Sequence, residues 1–135
     1  MALQKSTAVR NAEADVVEST IGTGPLLQFY SGAQPANCAA ADSGTLLAEM
    51  TLPSDWLAAA SGGSKSKLGT WQDASANATG TLGHWRLKDS TGTTCHLQGS
   101  VTATGGGGDI TVASTSITSG QPFTITSFSY AEGNA

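Results

Sequence analysis

The side chains best suited to chemistry in this 135-residue chain are two histidines, His84 and His96, and two cysteines, Cys38 and Cys95. A histidine pair can ligate a metal or relay a proton, and a thiol can act as nucleophile or ligand. Both histidines fall in alternating segments that read as the arms of one hairpin, diagonally across its exposed face. Arg86 would sit opposite His96, and no third ligand is placed beside the pair, so ordinary solvated histidines are the favoured reading. The cysteines lie far apart, and neither belongs to a Cys-x-x-Cys pair, which favours free thiols over a disulfide in a reducing compartment. Serines are abundant, but no Gly-x-Ser-x-Gly elbow is present, so a small hydrolase is the weakest of the functional readings.

Two further motifs fail on context. The run Gly105-Gly106-Gly107-Gly108 does not open onto a helix, and no Gly-Lys-Ser/Thr follows. Asp109-Ile110-Thr111-Val112 reads as a strand instead, making the run a flexible hairpin loop rather than a phosphate cradle. Asn77-Ala78-Thr79 matches the glycosylation triplet, which carries no weight without a signal peptide. Tryptophans can stack on sugars, and Trp56 and Trp71 are the candidates because alternation already assigns Trp85 to the core. For both, a place in the core or at a subunit interface is favoured over a sugar platform. No catalytic, cofactor-binding or metal-ligating residue is assigned, and no cofactor is expected.

The elements that position these residues follow from composition. Only 12% of residues are charged, against about 25% in ordinary soluble domains. Ser, Thr and Gly carry the polarity, which suits twisted strands and tight turns. The net charge is −4 without a basic cluster, which disfavours nucleic acid as a partner. The start of the chain, Met1-Ala2-Leu3-Gln4-Lys5-Ser6, lacks the apolar run of a secretory signal, and no stretch is apolar enough to span a membrane. Synthesis and folding in a cytoplasm, with no membrane partner, are expected.

Residues 1–24 read as one helix and its cap. Ser6 is the candidate N-cap, and Val9, Ala12, Val16 and Ile21 recur near helical spacing. Gly22 or Gly24 closes the helix, and Pro25 prevents its continuation. The stripe is thin, so this helix needs a partner surface, either its own sheet or a neighbouring subunit. Residues 25–135 read as an antiparallel β domain, with strands at 26–30, 45–52, 67–72, 80–89, 93–101, 109–112 and 123–130. Residues 32–44 form a long surface loop. The turn Ser90-Thr91-Gly92 predicts a hairpin pairing Asp89 with Thr93, Leu87 with Cys95, and Trp85 with Leu97. Trp85, Leu87, Cys95, Leu97 and Val101 then share the buried face, and His84, Arg86, His96 and Gln98 the exposed one. A bulge near Thr126-Ser127 would bring Phe123, Ile125, Phe128 and Tyr130 to one side. The fold class expected is mostly β: an antiparallel β-sandwich or barrel-like domain with one N-terminal α-helix, in a single globular unit.

Several of these segments together resemble small uncharacterised structural proteins from the virion-morphogenesis modules of tailed phages. The resemblance runs through Leu26-Leu27-Gln28-Phe29-Tyr30 and Gly32-Ala33-Gln34-Pro35-Ala36, then Thr45 to Glu49 and Ala58 to Gly63. It continues at Ala78 to Thr81, Trp85-Arg86 and Asp89 to Thr94, and ends with Ser116 to Gln121, Thr126 to Tyr130 and the closing Ala-Glu-Gly-Asn. Lys65-Ser66-Lys67 and the two cysteines depart from the pattern, which leaves the local structure there open. The shared segments are turns and strands and bring no catalytic residues with them. The resemblance implies a non-catalytic virion protein, first a capsid decoration (cement) protein, then a tail or adsorption-apparatus subunit. The implied partners are the major capsid protein or other virion subunits and further copies of the chain. A carbohydrate-binding module for host surface glycans is the reading from a different class.

Overall fold

The computed structural model describes residues 3–133. Helix α1 spans Thr7–Ile21, with Ser6 as its N-cap accepting a hydrogen bond from the Val9 amide at 3.2 Å. Gly22, at φ 89°, ends it and returns its own N–H to the Glu18 carbonyl, a left-handed position that favours glycine. Of the stripe expected to dock, Ile21 does and the rest does not. Val9 and Val16 are 47% and 58% exposed, while Ala14 and Ile21 are buried. Polar contacts hold the other face. The Arg10 guanidinium donates to the carbonyls of Glu132 (2.9 Å) and Gly62 (3.0 Å), and the Asn11 side chain accepts from the Gly63 amide at 2.7 Å. The buried Lys65 ammonium reaches Asp15 (2.6 Å) and Glu18 (2.9 Å).

The remainder is β structure. Strands β1 (Leu26–Ser31), β2 (Leu46–Thr51), β5 (Gly80–Lys88), β6 (Cys95–Ala103) and β7 (Ile110–Val112) form the main sheet in the order β2-β1-β5-β6-β7, and β8 (Ser116–Ile117) pairs with the start of β5. Two ribbons complete the curl: β3 (Ser64–Ser66) with β10 (Ser129–Ala131), and β4 (Trp71–Asp73) with β9 (Phe123–Ile125). The result is a mostly-β half-barrel with one N-terminal helix. The departures from the sequence reading are local. Strand β3 falls where residues 58–66 had no assigned strand, and 123–130 divides into β9 and β10. Phe123, Ile125 and Phe128 are nonetheless all buried, and Tyr130 packs against them.

One pairing is parallel rather than antiparallel: Val101 faces Ile110, and Ala103 faces Val112. Parallel neighbours ordinarily need a long crossover. Here the chain retreats by only a short distance, and the glycine run lets it fold tightly on itself. A Cβ at Gly106 or Gly108 would lie 2.7–2.8 Å from the Thr102 side chain, and the Gly108 amide donates to Thr102 Oγ1 at 2.9 Å. The glycine run is thus not a hairpin loop but a connection between parallel strands, packed against Thr102 at Gly106 and Gly108.

Inside the curl, aromatic rings carry the core. Phe29 meets Phe123 edge-on at 5.0 Å, and Phe128 sits between Trp71 (5.3 Å) and Trp85 (5.8 Å). Such pairs add to the burial of their area. Ile21 joins the same core, so the helix and the β structure share one hydrophobic cluster.

Candidate functional site

The β5–β6 hairpin shows how small local choices place the polar side chains. Leu87 faces Leu97 and Trp85 faces Gly99, two residues away from the expected register. One residue of the difference arises in the turn. The Asp89 carboxylate accepts from the Thr91 hydroxyl (2.8 Å) and the Thr93 amide (3.0 Å), so Thr93 stays in the loop and Asp89 pairs with Thr94. The second arises at a bulge, where Lys88 faces Cys95 but Leu87 faces Leu97. Two single-residue shifts restore parity, so Trp85, Leu87 and Val101 remain on the core face as expected. Cys95 and His96 do not follow. Cys95 joins Arg86 and Lys88 on the other face, and His96 lines a groove against α1 with Val16, Val17, Thr20, Ile21 and Leu97.

The face expected to be solvated is covered. Glu49, Gln28, Arg86 and Gln98 form a row across four strands, with Tyr30 facing His84 alongside. Over this row lies the 32–44 loop. Its Gly32 carbonyl is 2.9 Å from His84 Nδ1, its Pro35 carbonyl accepts from Gln98 Nε2 at 2.7 Å, and its Cys38 carbonyl accepts from Arg86 Nη2 at 2.8 Å. Asn37 turns the loop by accepting from the amides of Ala39 and Ala40, both at 3.0 Å. Asp42 then clamps two cations, Arg86 Nη1 at 2.5 Å and Lys88 Nζ at 2.6 Å. His84 and Arg86 are 0% and 1% exposed, so neither is the solvated residue that alternation implied. His84 stacks on Tyr30 with ring centroids 5.3 Å apart.

The electrostatics follow from this cover. Burial alone would raise the Asp42 carboxyl, but hydrogen bonds from Lys88, Tyr30 and Arg86 together outweigh it and hold the group below its ordinary value of 3.8. Burial, helped by Asp42, pushes the Tyr30 phenol well above its ordinary range. Each charge in the chamber has an internal partner, so the cluster reads as a clamp on the loop. Beside it, Cys38 and Cys95, both half-buried free thiols, line one cavity of about 370 Å³ with Asp42, Arg86 and Lys88. Sequence reasoning left these two residues apart.

Trp56 and Trp71 are 0% and 1% exposed. Their indole N–H groups donate to the carbonyls of Gly22 (3.0 Å) and Leu68 (3.1 Å). Neither ring offers a stacking face to a sugar. Among the described residues, no group of three or more His, Cys, Asp or Glu side chains could hold a metal ion, and no helix is long and apolar enough to cross a membrane.

Fold and site together define a curled β domain whose ionic cluster fastens a loop and whose helix turns an apolar stripe outward. No protein-family model matches the chain, and no curated protein or solved structure is significantly similar to it.

Proposed function

We propose that this chain is a non-catalytic structural subunit of a tailed-phage particle, a decoration protein bound to the capsid shell and to its own copies. The observation that carries the reading is the outward stripe of α1. Val9 and Val16, with the exposed Ala12 between them, recur at helical spacing on a face that its own domain leaves open. The groove between α1 and β6, a cavity of about 190 Å³ lined by Val16, Val17, Thr20, Ile21, His96 and Leu97, adjoins that stripe. Apolar anchors flanked by polar surface are what a binding interface needs. The resemblance of the turn and strand segments to phage morphogenesis proteins supplies the setting.

The test is deletion from the particle. Particles lacking the protein are expected to assemble but to lose resistance to heat or to low salt. Robust particles that fail to adsorb to host cells would instead assign the chain to the adsorption apparatus and overturn the cement reading.

A further inference from the structure

We propose that Cys38 and Cys95 are an oxidative cross-linking site, closing to an intramolecular disulfide that locks the 32–44 loop onto the β5–β6 hairpin. The inference does not depend on the role proposed above.

Three observations converge on it. The bulge that turns Cys95 away from the core brings it to the face beneath the loop, where both residues line the same cavity. Arg86 lies between the two positions: its Nη2 donates to the Cys38 carbonyl at 2.8 Å, and it lines the shared cavity beside Cys95. The Cys95 thiol donates to the Leu97 carbonyl at 3.3 Å, and the nearby Cys38 thiol is among the groups that raise its pKa. Both residues are half-buried, so a small oxidant can reach them. The loop is otherwise fastened only by hydrogen bonds and by the clamp at Asp42, so a covalent link at Cys38 would add a restraint of a different kind.

The chemistry needs a small-molecule disulfide such as oxidised glutathione as co-reactant. The Cys38 thiolate attacks one of its sulfurs, breaking the S–S bond and expelling one glutathione thiolate, which takes up a proton. The Cys95 thiolate then attacks the Cys38 sulfur, forming the protein disulfide and expelling the second glutathione. The two cysteines lose two electrons and two protons, and the oxidant gains both as two thiols. Burial, followed by the Cys38 thiol beside it, pushes Cys95 up to about 11. The second step therefore draws on a small thiolate fraction at neutral pH, and closure is expected to accelerate as pH rises.

The full chain, purified reduced, would be incubated folded with oxidised glutathione and followed by intact mass, thiol titration and peptide mapping. The expected product is a monomer that has lost the mass of two hydrogens, titrates no thiol, and yields a Cys38–Cys95 linked peptide. Its Tm should rise on the order of 10 °C, because the link closes a long stretch of chain. The rise should vanish on reduction and be absent in Cys38→Ser and Cys95→Ser. The proposal is overturned if the folded chain keeps both thiols, if it oxidises only after unfolding in denaturant, or if the product is an intermolecular dimer. The mass and peptide readouts on the wild-type chain decide the matter even where a serine variant fails to fold.

Discussion

The Trp85 indole rests where Gly99 leaves room for it. A Cβ at position 99 would lie 2.8 Å from the ring atoms Cζ2 and Nε1 and 2.6 Å from the Asp109 carboxylate. That carboxylate is already engaged, accepting from the Ser100 amide at 2.9 Å. Gly99→Ala should therefore cost about 1–3 kcal/mol through overpacking, measurable as a lower urea midpoint with an unchanged m-value. Trp85→Ala should cost about 3–5 kcal/mol, since the ring is 4% exposed and meets Phe128 edge-on. A loss under about 1 kcal/mol would be too small for a core tryptophan. Asp42 is the third decisive residue, because removing its charge leaves Arg86 and Lys88 buried without their anion. Its side chain is 39% exposed, so solvent screens the pair, and Asp42→Asn should cost about 2 kcal/mol rather than the larger loss of a fully buried bridge. The sign with pH is fixed by its depressed carboxyl. The contribution is complete above the unfolded carboxyl value and disappears as pH falls through the lower folded one. The advantage of wild type over Asp42→Asn should thus be full near neutral pH and shrink below about pH 4. An advantage independent of pH would show that the clamp does not stabilise through charge.

At the scale of elements, what was legible in the sequence was whatever local chemistry determines. Ser6 and Gly22 bounded the helix, because caps depend on neighbouring backbone groups. Alternation placed Trp85, Leu87 and Val101 on the core face even though the register differed, because parity survives a shift of two. What was not legible depended on distant partners. The row formed by Gln28, Arg86 and Gln98 has the pattern of a solvated face, and nothing in its alternation tells that the 32–44 loop lies across it. The acid at Asp42, set in an otherwise uncharged loop, was the available signal for the two cations on β5. Lys65 lay in a segment with no assigned strand, yet its ammonium is the fastening between β3 and α1. The helix docks through hydrogen bonds and ion pairs together with the buried Ala14 and Ile21, which is why Ile21 alone of the expected apolar stripe marked its contact surface.

Taken whole, the molecule has few means of binding except shape and apolar contact. Its large aromatic rings are mostly in the core, its ionic cluster is occupied with the loop, and its net charge is modest. Val9 and Val16 are then the large apolar side chains that α1 leaves open to a partner. Their substitution separates binding from folding, because neither contributes to the buried core. A Val9→Asp/Val16→Asp chain should keep its stability to within about 0.5 kcal/mol, as expected for exposed positions. The same chain should lose attachment to particles, since each carboxylate would have to be stripped of water at an apolar contact. Attachment is measured by adding purified protein to particles that lack it, sedimenting them, and assaying the pellet. Wild-type retention combined with loss in the double variant, at equal Tm, is the expected pattern. Undiminished retention of the double variant would remove α1 from the interface and shift attention to the loops at the opposite edge of the sheet.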